Sequence, residues 1–177
     1  MRQVLEITAL AHYPDEIGRW LWALETARRQ TVRMVAGVDQ ATLDWQGPDG
    51  LDNAIGSLLY HIGRIEMNWL FLDVLARALP PVVAADFPLE AGSPGSGLVR
   101  VLGVPLAEHL ARLERSRGLL LQTFRHMTLD DWRRPRRPGD ADYEVTPEWA
   151  VFHLVEHEAG HAYQIISIKR RAARLLA

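Results

Sequence analysis

Four stretches of the chain repeat apolar residues at helical spacing, with prolines and glycines between them. Residues three and four apart share one helix face, so this pattern builds stripes that must be buried. In the first stretch Ile17, Leu21, Leu24, Ala27 and the run Val32 to Val35 form the stripe. The spacing predicts a helix from about Pro14 to Gly37. A proline loses no hydrogen bond in a first turn, and Asp15 and Glu16 suit the positive helix end. The second stripe is Ile55, Leu58, Leu59, Ile62, Ile65, Trp69, Leu72 and Leu75. It predicts a helix opened by Asp52 or Asn53 and running to Leu79, where Pro80 and Pro81 stop it. Leu106, Leu110, Leu113 and Leu120 mark the inner face of a third helix, Pro105 to about Met127. The fourth opens on Thr146 as cap, Pro147 at the first position and Glu148 beside the dipole. It runs to about Leu175, where Lys169, Arg170, Arg171 and Arg174 complement the negative end.

The intervening segments read as loops. Residues 38–50 carry Gly47, Pro48 and Gly50, and residues 80–104 include GSPGSG at 92–97, which predicts a long crossover or lid. Residues 128–145 hold Arg133, Arg134, Arg136 and Arg137 between prolines. Such a run reads first as a solvated loop, and second as a receiver for an anionic cosubstrate. No strand pattern stands out beyond a short turn at Pro81–Ala84, and no repeat is evident. The expectation is an all-α fold, a four-helix bundle with long crossover loops, forming one domain over residues 1–177.

Composition removes several function classes. A net charge of -2 offers no basic surface for nucleic acid. No apolar run reaches the roughly 18 to 20 residues that span a bilayer. The first residues carry one basic side chain, Arg2, and do not read as a secretory signal, so a cytoplasmic location is the default expectation. There are no cysteines. Disulfides, thiolate metal sites and cysteine nucleophiles are excluded together. Any metal must be held by histidine, carboxylate or backbone oxygen.

The chemistry concentrates in HLVEHEAGH, which places His153, His157 and His161 on the fourth helix. Neighbours at this spacing lie on one face, about 6 Å apart along the axis. Two can point ring nitrogens at one ion at bond lengths of about 2.0 to 2.1 Å. All three cannot, since His153 and His161 are about 12 Å apart along the axis. The segment His157–Glu158–Ala159–Gly160–His161 matches the HExxH pattern of zinc proteases, in which the glutamate is a general base. Those sites draw a third ligand from downstream. No His, Asp or Glu follows His161 here, so the third ligand is expected upstream. His12 precedes the first helix, His109 shares a face with Arg112 and reads as a surface residue, and His126 lies at a helix end. His61 sits among Leu58, Leu59, Ile62 and Ile65 and is the expected partner. Glu158 is the candidate catalytic base, with an interhelical salt bridge as the alternative. Glu66, roughly 140° round the helix from His61, reads as structural.

These residues resemble the DinB-like superfamily, with its YfiT-like and thiol-transferase members. The resemblance rests on His61 within HIGRIEMNWL and on His157 and His161 within WAVFHLVEHEAGHAYQI, with a tryptophan before and Gln164 after the last pair. It spans nearly the whole chain. It implies a divalent metal, zinc or nickel, on His61, His157 and His161, with open positions for water or substrate. It further implies transfer of a low-molecular-weight thiol, bacillithiol or mycothiol in some members, to an electrophile. An open metal site lowers the pKa of a bound thiol, so the protein needs no cysteine of its own. A metal-dependent hydrolase and a non-catalytic, metal-stapled helical module are the alternatives. Many relatives carry His-Arg-Gly-Gln at the last ligand, where this chain has His161–Ala162–Tyr163–Gln164. Six tryptophans suit core packing and a homodimer interface.

Overall fold

The computed structural model describes residue 2 and residues 4–89, 97–139 and 141–175. Four long helices dominate: α1 (Asp15–Val35), α3 (Ile55–Asn68), α5 (Leu106–Phe124) and α7 (Pro147–Leu175). Three short ones occupy the predicted loops: α2 (Gln40–Asp44), α4 (Pro81–Asp86) and α6 (Leu129–Arg133). The first of these is capped by Asp39, whose side chain accepts from the Thr42 amide, and α6 by Thr128 in the same way with Asp131. Among the described residues there is no strand, only an antiparallel bridge between Arg136 and Val145. The fold is all-α. No helix of the described residues is long and apolar enough to cross a membrane.

Helix ends follow the sequence logic with two corrections. Thr146 caps α7 as expected, its Oγ1 accepting from the Trp149 amide at 3.1 Å. Asp52 and Asn53 do not cap α3; Ala54 holds that position without a side-chain bond. Asp52 instead pairs with Arg171 on α7, and Asn53 accepts from the Leu98 amide. The second correction concerns length. The α-helical ladder of α3 ends at Asn68 and rewinds into a π-helix over Trp69–Val74, and no helix covers Leu75 to Leu79. The GSPGSG segment lies largely outside the described residues.

Packing explains the long crossover. Helix α1 lies along α7, α3 along α5, and α3 also faces α7, while α1 touches α5 only lightly. The buried apolar residues form two clusters. The first takes Ile17, Leu21 and Leu24 from α1, Met67 from α3, Leu120 and Phe124 from α5, and Ala150 to Leu154 from α7. The second takes Val35, then Ile55, Leu58, Leu59 and Ile62, Leu113, and Ile165 with Ile168. Following each helix from its N-terminus, α1 and α7 pass from first cluster to second, and α3 and α5 pass from second to first. Helices α3 and α5 therefore run parallel, and a parallel pair cannot be joined by a tight turn.

His109 is a further correction. It is 1% exposed, not a surface residue. Gly56 allows this: a Cβ there would stand 3.1 Å from His109 Nε2 and 3.0 Å from the Val101 carbonyl oxygen. The absent side chain lets α5 close onto α3 with the imidazole between them. Arg112, on the same face, turns inward too and donates to the Asp86 carbonyl.

Candidate metal centre

Helices α3 and α7 bring three imidazoles to one point. His157 Nε2 lies 3.1 Å from His61 Nε2 and 3.1 Å from His161 Nε2. The ligand atoms of all three lie within 4.8 Å of one another, and no other such group occurs among the described residues. Nitrogens about 2.0 to 2.1 Å from a shared ion stand roughly 2.8 to 3.4 Å apart for right-angled to tetrahedral arrangements. The two spacings to His157 fall in that range, so the trio can hold a metal. The His161 ring is fixed by its other nitrogen, since Gln164 Oε1 accepts from Nδ1 at 3.0 Å. That bond directs the Nε2 lone pair to the centre, as the outer partner of a ligating histidine does.

Burial sets the charge state. It pushes His61 down to about 4, with His161 adding to the effect. Burial and then the neighbouring histidines push His157 down to about 3. His161 is lowered as well, chiefly by burial, against the opposing pull of Gln164. All three are neutral at pH 7, the form that ligates. Neutral rings can turn lone pairs toward one ion, which protonated rings cannot.

His153 stands outside the trio, as helix geometry required. Its ring stacks on Trp149 with centroids 5.3 Å apart and planes 4° from parallel. It also meets Trp69 at 4.8 Å and His157 at 5.8 Å. His12 and His126 are exposed.

Beneath the histidines lies a buried layer of four charges, one from each long helix. Glu158 Oε1 accepts from Arg28 Nε at 2.7 Å, and its Oε2 accepts from Arg117 at 3.0 Å. Glu66 accepts from the same two arginines and from the Ser116 hydroxyl. Both glutamates are 2% exposed. Burial alone would raise the Glu66 carboxyl, but Arg117 and Arg28 outweigh it and hold it below its usual range. On α1, α5 and α7 the layer separates the two apolar clusters; on α3 Tyr60 of the first cluster lies before Glu66. Its glutamates were visible in the sequence, Glu66 as structural and Glu158 as candidate base. Its arginines were missed, although both interrupt apolar stripes: Arg28 follows Leu21, Leu24 and Ala27, and Arg117 falls between Leu113 and Leu120. A long cation on an inner face signals a buried partner.

Comparison with known proteins agrees with this architecture. A conserved protein from Enterococcus faecalis has a similar solved structure, with a TM-score of 0.65 at 14% identity over 86% of this chain and 94% of that one. At that identity the likeness speaks to the fold alone. No curated protein matches the chain. The family model of the DinB superfamily matches residues 23–165, which contain the charged layer and all three convergent histidines, and the chain belongs to that superfamily.

Proposed function

We propose that the protein is a metal-dependent S-transferase that joins a low-molecular-weight thiol to an electrophile. The observation that carries this reading is the convergence of three neutral imidazole nitrogens from two helices on one point. Three protein ligands leave coordination positions open, as catalytic sites do and closed structural sites do not. A divalent ion there, zinc or nickel, would lower the pKa of a bound thiol and so supply thiolate at neutral pH. The residues contribute orientation: His61 from one helix, His157 and His161 from another, with Gln164 holding the last ring. The chain has no cysteine, so the thiol comes from a small molecule. In the transfer a carbon–sulfur bond forms, the bond to the leaving group breaks with its electron pair, and the thiol proton passes to solvent.

The second reading, a hydrolase with Glu158 as base, is weakened by one contact set. Both Glu158 oxygens are engaged by guanidiniums. Such a carboxylate fixes helices better than it accepts a proton, so we assign Glu158 a positioning role. A cytoplasmic homodimer remains the working assembly. The test is conjugation: zinc- or nickel-loaded protein, bacillithiol or mycothiol, and a panel of chlorinated aromatic electrophiles. Metal-dependent conjugate is expected. Its absence across the panel, with metal demonstrably bound, would favour a hydrolase or a non-catalytic module.

A further inference from the structure

The histidine trio does not end in bulk protein; an aromatic wall leads away from it. From His157 the rings run to His153, and from His153 to Trp149 and Trp69. The two tryptophans meet each other with centroids 5.3 Å apart. Beyond them opens a cavity of about 450 Å3 lined by Trp69, Tyr143, Glu144, Val145, Thr146 and Trp149. Trp149 and Tyr143 are each nearly half exposed, 47% and 46%, although both are large aromatic side chains. Tyr143 is not loose: its hydroxyl donates to Asp73 Oδ1 at 2.7 Å. Both Asp73 and Trp69 belong to the π-helical rewinding of the chain after α3. Such rewinding is rare and is found frequently at functional sites. Here it ends the regular α3 stripe where that helix meets the cavity.

We propose that this cavity is a subsite for an uncharged, planar aromatic group of the electrophile, held against Trp69 and Trp149 about 12 Å along α7 from His157, with the His153 ring between. The proposal rests on the metal reading of His61, His157 and His161, and adds to it the substrate class. Three features select this occupant. Indole faces offer broad contact to a flat ring. The lining holds one carboxylate, Glu144, and no cationic side chain, so an anionic group is repelled. An ammonium cage sets aromatic faces around the cation. Trp69 and Trp149 contact each other at 49°, so they stand together on one side of the cavity and do not face across it.

Calorimetric titration with 1-naphthol, 1-naphthoate and 1-naphthylmethylammonium tests the assignment, on zinc-treated and on EDTA-treated protein. Naphthol should bind saturably to both, at least tenfold tighter than either charged analogue. Trp149→Ala should weaken naphthol tenfold or more, and Trp149→Phe threefold or less. Trp149 is half exposed, so both variants should keep the fold, which circular dichroism checks. Equal or tighter binding of a charged analogue, or an unchanged Trp149→Ala, would overturn the proposal. With paramagnetic cobalt(II) at the histidines, bound naphthol resonances should show pseudocontact shifts absent from the zinc protein; identical shifts in both would overturn the placement. Zinc uptake without naphthol binding removes the subsite and leaves the metal reading. Naphthol binding without zinc uptake leaves the aromatic subsite and removes the metal reading.

Discussion

The charged layer and the histidine trio are neighbours on the same helices, yet chemically they are opposites. Glu158 directly follows His157, and Glu66 lies five residues after His61. In the layer two arginines meet two glutamates, each glutamate paired with both arginines, and Ser116, Glu25 and backbone carbonyls take up further donors and acceptors. In the trio three like groups, all imidazoles, converge on one point. Neighbouring positions on one helix thus serve two ends. The layer ties four helices together in one register and needs no ligand. The trio inherits that register and can hold a cation.

The contrast can be broken from either side, and the largest effect should come from the layer. Glu158→Ala leaves Arg28 and Arg117 short of a partner in the interior, which costs about 3 to 5 kcal/mol. Urea unfolding of the metal-free variant measures this, and a loss below about 1 kcal/mol would show the layer to be dispensable. His161→Ala, by contrast, should cost metal binding and little metal-free stability.

Metal loading comes next. Zinc at a hundred times its dissociation constant should stabilise the wild type by about 2.7 kcal/mol. The melting temperature should rise, and chelation should reverse the rise. His61→Ala should show no rise. An equal rise in both proteins would place the metal elsewhere.

A third test uses a histidine outside both regions. Burial, and secondarily Arg112, push His109 down to about 4. Its ordinary value is near 6.5, so between about 4 and 6.5 the unfolded chain binds more protons than the native one. Stability should therefore be full above about pH 6.5 and fall as pH drops toward 4. Between pH 6.5 and 5 the His109 share is on the order of 2 kcal/mol. His109→Gln should flatten the acid limb by that amount in urea titrations. Parallel pH profiles would assign the limb to other groups.

The smallest effect belongs to Gln164. Removing it frees the His161 ring and should weaken zinc tenfold to a hundredfold, the usual size for an outer partner. Metal-free stability should change by less than about 1 kcal/mol. Competition with a chelating dye reads the affinity.

Much of this was legible in the sequence because it depends on local periodicity. The four stripes gave the long helices, Thr146 gave the start of α7, and helix geometry separated His153 from the pair at 157 and 161. His61 was legible because the pair needed a partner and only one upstream histidine sat in a strongly apolar stripe. What escaped depends on tertiary contacts. His109 read as exposed because Arg112 shares its face, and no local rule shows that Gly56 makes room for the imidazole. Asp52 and Asn53 have capping side chains, but Arg171 and the Leu98 amide engage them instead. The π-helical turn after Asn68 keeps the apolar pattern of an α-helix, so periodicity alone extended α3 through it. The arginines of the layer carried a readable signal, a cation interrupting an apolar stripe, whose partners only the packed helices reveal.

The central claim is that His61, His157 and His161 form one metal site. Elemental analysis of untagged protein, dialysed against zinc and then against metal-free buffer, tests it most directly. About one zinc per chain is expected in the wild type and less than a tenth of an equivalent in His61→Ala. Wild-type protein that retains no metal, or a His61→Ala variant that retains as much as the wild type, would contradict it.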